Sequence, residues 1–120
     1  VARLALAAAG RLDFAEPDPV RYPALRLARQ VMERGGAAGA VFNAAKEAAL
    51  DGFLTGRIGF SDMARVVEAV LSRYDAGPGL SEAPASLSDV LAVDSAARRL
   101  AEVEMANGGW APPGAQRVVT

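Results

Sequence analysis

The clearest fold signal in this chain is the segment SDMARVVEAVL, which occupies residues 61–71. Ser61 is a favourable N-cap, and Asp62 lies in the first turn, where the helix dipole favours a negative charge. The bulky apolar side chains recur three and four positions apart, which places them on one side of an α-helix; they are Met63, Val66, Val67, Val70 and Leu71. The segment therefore predicts a helix with one face against a core.

Two further helices are predicted upstream. The first begins at Pro23, whose missing N–H has no helical partner in a first turn, and stops at Gly35-Gly36. Its predicted apolar stripe is Leu25, Ala28, Val31 and Met32. The second runs from about Ala38 to Leu54 and ends at Thr55-Gly56. Small side chains on its inner face favour close helix packing; the face comprises Val41 or Phe42, Ala45, Ala49 and Phe53, with Ala44 and Ala48 beside them.

Downstream, Gly, Pro and Ser residues within residues 75–86 predict an exposed loop. A short helical turn over residues 87–93, capped by Ser86 or Ser88, is expected next. Asp94 is then the predicted N-cap of a last helix through Ala106, closed by Asn107-Gly108-Gly109. The inward residues of this helix are predicted to be Ala97, Leu100 and Met105 or Val103. The chain as a whole predicts an all-α fold, a small antiparallel four-helix bundle.

Residues 1–22 differ from the rest of the chain. Leu12-Asp13-Phe14 alternates apolar and acidic residues like a short strand, while Pro17 and Pro19 exclude a helix or a central strand. We interpret this part as an extended lead-in that acts as a linker. An N-terminal arm folded over the bundle is equally consistent with the pattern.

The same signals suggest a division of the chain into three parts. Residues 1–22 are the lead-in, residues 23–107 the helical bundle domain, and residues 108–120 a tail that its Pro and Gly content predicts to be flexible. Trp110, the lone tryptophan, is interpreted as packing locally or being exposed, rather than binding a ligand.

Composition excludes several classes of function. The 120 residues include no cysteine and no histidine, which excludes disulfides, thiolate nucleophiles, the usual zinc sites, Ser-His-Asp triads and histidine-ligated haem. Thirteen basic against fourteen acidic side chains give a net charge of −1, so no nucleic-acid partner is expected. No apolar run approaches the ~18–20 residues that span a bilayer, so no membrane partner is expected either.

The remaining candidates for chemistry carry weak signals. Glu47 and Asp51, four positions apart on the second helix, can bind a divalent cation but more often form a mildly repulsive surface. Lys46, the only lysine, is a base or Schiff-base amine if buried and otherwise faces solvent. Gly35-Gly36 followed by Gly39 loosely resembles an anion-binding turn without matching a phosphate-loop pattern. The other acid–base candidates are interpreted as solvated surface: Asp13, Glu16, Glu33, Glu68, Asp89, Asp94, Glu102 and Glu104.

An ordered series of segments resembles one enzyme family. The series consists of Leu12-Asp13-Phe14, Pro17-Asp18, Arg21-Tyr22-Pro23, Asn43-Ala44-Ala45-Lys46-Glu47, Arg57-Ile58-Gly59-Phe60, Ser61-Asp62 and Ser88-Asp89-Val90-Leu91-Ala92-Val93-Asp94. It is similar to the C-terminal region of the 1-deoxy-D-xylulose 5-phosphate reductoisomerase family and covers nearly everything from Gly10 to about Met105.

The resemblance implies a longer enzyme with an N-terminal dinucleotide-binding domain, a central catalytic domain and a C-terminal helical domain. Such cytoplasmic homodimers use NADPH and a divalent metal, Mg or Mn, to convert 1-deoxy-D-xylulose 5-phosphate to 2-C-methyl-D-erythritol 4-phosphate in the non-mevalonate route to isoprenoids. Residues 23–107 match the helical domain, and residues 11–22 match the segment leading into it. The family's metal, phosphate and dinucleotide residues belong to the other domains, so no catalytic, cofactor-binding or metal residue is assigned here.

This chain alone is therefore expected to be an inactive support domain whose partners are the missing N-terminal and catalytic domains. The alternatives are a free-standing helical interaction module derived from such a domain and a complete small enzyme that uses Lys46 and the carboxylates. The family typically has Asn where this chain has Lys46, which implies either a position near the surface or a divergent homologue. The Ala-rich face of the second helix is a candidate docking surface, provided that it is exposed.

Overall fold

The computed structural model describes residues 3–110, in which five helices and no strand occur. The helices are α1 (Leu6–Ala9), α2 (Pro23–Arg34), α3 (Ala38–Leu54), α4 (Asp62–Ala76) and α5 (Leu87–Asn107). The all-α prediction is confirmed, and α2 and α3 have the predicted bounds. None of the described helices is long and apolar enough to cross a membrane.

The bundle is built around α3. This helix packs against α2, α4 and α5, and its alanine face is buried because methyl side chains let the neighbouring helices approach closely. Val41, Val66 and Val70 are among the largest fully buried side chains. The other members of the core are Leu27, Ala38, Ala44, Ala45, Ala48, Ala49, Ile58, Val67, Tyr74, Leu80, Ala97, Ala101 and Met105.

Ion pairs between helices show the order of the bundle. Arg26 pairs with Glu68 and Arg34 with Asp75, so residue numbers rise together along α2 and α4. Glu47 pairs with Arg98, and Arg57, just beyond α3, pairs with Glu102, so α3 and α5 also run in parallel. Arg73 on α4 pairs with Glu104 on α5, while Arg65 lies over Trp110, so α4 and α5 run antiparallel. Alternate helices are therefore parallel and consecutive helices antiparallel, as in an up-down-up-down bundle.

The inner side of α2 differs from the predicted stripe. Leu27 is the buried residue of this helix, Val31 packs against the core, and Leu25 and Met32 are exposed. Leu27 and Val31 are four positions apart and share a face, so α2 uses a narrower inner stripe rotated from the predicted one.

The turn between α2 and α3 is closed by the loop after α4. Gly35 and Gly36 both have positive φ, and the amide of Ala37 donates a 2.9 Å hydrogen bond to the carbonyl of Leu80. Leu80 is only 4% exposed. The prediction of an exposed loop is therefore wrong at Leu80, because the loop contacts the turn between α2 and α3 and the Leu80 side chain packs in the core.

The N-terminus of α4 is held by a different residue from the predicted one. Ser61 occupies the N-cap position, but its side chain makes no capping hydrogen bond. Asp62 is 2% exposed, and its carboxylate accepts a 3.0 Å hydrogen bond from the amide of Gly59, while its own amide donates to the Gly59 carbonyl. This reciprocal pair ties the incoming chain to the helix.

The last helix is continuous. Residues 87–107 form α5, capped by Ser86, whose hydroxyl accepts a 3.1 Å hydrogen bond from the amide of Asp89. The predicted break at Asp94 is wrong because the Asp94 carboxylate is held by Arg98, one turn further on, instead of capping a new helix. Ala97 and Met105 are buried as predicted, Leu100 is half-buried, and Val103 is 43% exposed.

Every residue of the described lead-in, residues 3–22, is exposed. It contains the short helix α1 before Gly10, and from Arg11 to Asp18 it forms neither helix nor strand, so the strand suggested by its alternation is absent here. Asp18 then starts a turn into α2 by accepting hydrogen bonds from the amides of Val20 and Arg21. Residues 111–120, most of the predicted flexible tail, lie outside the described residues.

Candidate interaction surface

The position of Lys46 favours a solvent-facing lysine over a buried base or Schiff-base amine. The side chain is exposed on the outer face of α3. A lysine becomes a base or Schiff-base amine when burial favours its neutral form. Lys46 lacks that burial, and its surface position also agrees with the expectation for a site where the family typically has Asn.

Glu47 bridges two helices. Its carboxylate is held by the Arg98 guanidinium on α5, with Nη2 to Oε2 at 2.5 Å, and by the side chain of Asn43 at 3.2 Å. These hydrogen bonds lower the pKa of Glu47 below its ordinary value of 4.5, and the bond from Arg98 has the larger effect. Hydrogen bonds to Asp94 and Glu47 raise the pKa of the Arg98 guanidinium. The Glu47 carboxylate, considered above as half of a possible cation site, is therefore engaged in an ionic link between α3 and α5.

No acidic cluster replaces that pair as a metal site. Within residues 3–110, no group of three or more Asp and Glu side chains lies close enough to hold a metal ion. Glu102 is paired with Arg57, which lowers the pKa of its carboxyl. At the turn formed by Gly35-Gly36, the amide of Ala37 already donates to the carbonyl of Leu80, so this amide is not available to an anion.

Trp110 and Glu104 belong to the packing of α4 against α5. The indole Nε1 of Trp110 donates a 2.9 Å hydrogen bond to the carbonyl of Glu104, and the Arg65 guanidinium lies 5.1 Å from the centre of the ring. Arg73 Nε lies 2.6 Å from Glu104 Oε1, an ionic contact without hydrogen-bond geometry. The prediction that Trp110 packs locally is confirmed.

Two grooves flank α2. The larger, about 510 Å³, lies between α2 and α4 and is lined by Leu27, Val31 and Leu80 together with the Arg34–Asp75 ion pair. The smaller, about 330 Å³, lies between the lead-in and α2. The larger groove is lined by the Ser72 hydroxyl together with Glu68 and Asp75, but these carboxylates pair with Arg26 and Arg34. Among the described residues, no hydrogen bond joins Ser72 to either carboxylate, so the groove shows no nucleophile bonded to a base.

The exposed apolar surface is elsewhere than predicted. Docking through the Ala-rich face of α3 is wrong, because Ala44, Ala45 and Ala49 are completely buried inside the bundle. Large exposed apolar side chains occur in the lead-in, where Phe14 is 89% exposed, and at the start of α5, where Leu87 is 74% exposed. The sequence signal that could have located the lead-in surface is the apolar alternation around Phe14.

These features define a class of protein: an all-helical domain whose N-terminal arm exposes apolar side chains. Residues 1–100 match the family model for the DXP reductoisomerase C-terminal domain, and the chain belongs to that family.

Curated relatives and a solved structure agree with this assignment. The chain is 62% identical over 106 residues to 1-deoxy-D-xylulose 5-phosphate reductoisomerase from Ruegeria pomeroyi, and 51% identical over 106 residues to that from Jannaschia sp.. The structure of this enzyme from Zymomonas mobilis in complex with NADPH is similar with a TM-score of 0.76 and 41% identity, over 88% of this chain and 26% of that one. The match to the Ruegeria pomeroyi protein covers 88% of this chain but 27% of the relative.

Proposed function

We propose that this chain serves as the C-terminal support domain of a longer 1-deoxy-D-xylulose 5-phosphate reductoisomerase and is inactive alone. The whole protein would convert 1-deoxy-D-xylulose 5-phosphate to 2-C-methyl-D-erythritol 4-phosphate in non-mevalonate isoprenoid biosynthesis, as a cytoplasmic homodimer. The observation that carries the proposal is the high identity to a relative of which this chain spans only about a quarter.

The cofactors are assigned to the rest of that longer protein. NADPH supplies the hydride in such an enzyme, and a divalent metal, Mg²⁺ or Mn²⁺, is expected with it. The described residues fit neither group, because they lack a cluster of three acidic ligands and the backbone carbonyl oxygens of Leu80 and Ser81 lie against Gly36, where a phosphate would need hydrogen-bond donors. We therefore derive no catalytic step from these residues.

The contribution of this chain is mechanical. Its core of alanine and valine residues, with ion pairs joining α2 to α4 and α3 to α5, makes a bundle that can hold a fixed position against a neighbouring domain. A catalytic domain gains from such a neighbour when the contact orients its reacting groups.

The test is a chimera in which this chain replaces the matching C-terminal quarter of the Ruegeria pomeroyi enzyme. NADPH oxidation is followed with 1-deoxy-D-xylulose 5-phosphate and Mg²⁺ for the chimera, for the relative truncated before that quarter, and for this chain alone. Turnover is expected from the chimera only. Turnover by this chain alone, or a chimera no more active than the truncated relative, would contradict the proposal.

A further inference from the structure

The lead-in contains a segment with the properties of an unpaired β-strand. Residues 11–16 lie between Gly10, which has positive φ, and Pro17, which cannot donate to a ladder of hydrogen bonds. Six residues is an ordinary strand length, about 5–6 being commonest. Leu12 is 55% exposed and Phe14 89% exposed, so neither side chain is covered by the bundle.

One side-chain contact in this segment fits the alternation of a β-strand. Arg11 Nε donates a 2.9 Å hydrogen bond to Asp13 Oδ1, so these residues, two positions apart, project to the same side. In an extended chain the intervening Leu12 and the following Phe14 project to the other side. Leu12 and Phe14 therefore share one face, which Glu16 ends, and Arg11 and Asp13 share the other face with Ala15.

The backbone of this segment has no partner within the described part of the chain. None of the amides from Leu12 to Glu16 donates a hydrogen bond to a described residue, and no carbonyl from Arg11 to Glu16 accepts one from a backbone amide. A backbone in neither helix nor turn, whose donors and acceptors no described backbone group engages and which carries Leu12 and Phe14 on one face, is complementary to the open edge of a β-sheet. The described bundle is entirely helical and offers no such edge.

We propose that Arg11–Glu16 pairs as an edge strand with a β-sheet in the part of the longer protein that precedes the bundle, with Leu12 and Phe14 on the covered side. The inference rests on the proposed function. The sheet is assigned to the preceding part because the matched family model describes a C-terminal domain. This chain spans only about a quarter of the length of its relative from Ruegeria pomeroyi. The segment connects that part to α2, and elements that follow one another along a chain are usually neighbours in space.

Amide-resolved hydrogen exchange on the full-length chimera tests this pairing. Successive amides of a strand point to opposite sides, so one sheet edge can bind only every second one. We expect exchange at alternate positions from Leu12 to Glu16 to be at least about a hundredfold slower than in the isolated chain. Fast exchange throughout, or slow exchange without alternation, would overturn the edge pairing.

Proline variants give a matched comparison. Asp13→Pro and Phe14→Pro remove amides that point to opposite sides, so only one of the two is expected to abolish the slow exchange at the other protected positions. Phe14→Ala controls for the loss of the aromatic ring. Strand pairing would be contradicted if both proline variants lost the slow exchange to a greater extent than the Phe14→Ala control. It would also be contradicted if neither proline variant lost it.

Two other results identify a wrong occupant or a wrong function. Alternating slow exchange that appears in the isolated chain and rises with its concentration would assign the edge to a second copy of this chain, which overturns the proposal. An active chimera without alternation would refute the strand and leave the proposed function intact. Alternation in an inactive chimera would support the strand while the proposed function fails.

Discussion

Gly36→Ala is expected to be among the more damaging single-methyl additions in this domain. A Cβ at Gly36 would lie 2.2 Å from the carbonyl oxygen of Leu80 and 2.8 Å from that of Ser81. Both atoms belong to backbone, and an ordinary contact requires the Leu80 carbonyl to retreat by more than about 1 Å. That movement breaks the hydrogen bond between the Ala37 amide and Leu80 and draws the Leu80 side chain out of the core.

Three physical effects contribute to the magnitude. Gly36 has a φ of +56°, where an L-residue costs about 1–2 kcal/mol. The lost hydrogen bond costs about 1 kcal/mol, and exposing the leucine costs about 1.5–3 kcal/mol when complete. We therefore expect Gly36→Ala to lower the free energy of unfolding by about 4 kcal/mol, against a typical total of about 5–15 kcal/mol.

Gly35→Ala is the matched control. Gly35 also has positive φ, +66° with ψ −143°, but a Cβ there would meet nothing within 4 Å. Only the backbone cost remains, about 2 kcal/mol. Urea unfolding followed by far-UV circular dichroism, with similar m-values for both variants, measures the difference. If Gly36→Ala falls within about 0.5 kcal/mol of Gly35→Ala, displacement of the loop is refuted.

A double variant separates displacement of Leu80 from the other costs. Leu80→Ala alone is expected to cost about 2–5 kcal/mol, because the side chain is buried. If Gly36→Ala acts by displacing this side chain, its cost in the Leu80→Ala background should be smaller by about 1–2 kcal/mol. Strict additivity would show that the methyl group acts without moving Leu80.

Three further predictions concern charged and capping residues. Asp62→Ala should destabilise the chain by about 1–3 kcal/mol, since it leaves the Gly59 amide without its acceptor, whereas Ser61→Ala should change stability by less than about 0.5 kcal/mol; urea unfolding compares them. Lys46→Asn should leave stability within about 0.5 kcal/mol and chimera turnover unchanged, and a large loss of turnover would return Lys46 to the list of catalytic candidates. Arg98 lowers the pKa of Glu47 in the folded state, so the stabilising contribution of Glu47 is present above pH 4.5 and is lost as pH falls through the lower folded-state value. Glu47→Gln should therefore make the free energy of unfolding less dependent on pH at the acid end. An unchanged dependence would contradict the ionic link.

Several elements were predictable because their signals are local. Pro23 opens α2, Gly35-Gly36 closes it, and Thr55-Gly56 follows α3, as each residue's own backbone preference requires. The apolar spacing of Val66, Val67 and Val70 placed them correctly in the core.

Other features depended on which segments meet. The loop after α4 looked exposed because its residues are turn formers, and only its approach to the α2–α3 turn buries Leu80. Asp94 had equal local reasons to cap a helix or to pair one turn along it. In the structure Asp94 pairs with Arg98, one turn along the helix, and Arg98 is also bonded to Glu47 on α3.

The amino-acid sequence by itself determined the helical class, the positions of the helix ends set by Gly and Pro, the valine face of α4 and the family. These properties depend on residues within a few positions of one another or on their order along the chain. The tertiary structure alone decided that the bundle covers the alanine face of α3 completely, that Asp62 rather than Ser61 holds the start of α4, and that the bundle leaves Phe14 uncovered. Burial and ion pairing between distant segments depend on how the helices pack, and local preferences do not encode that packing.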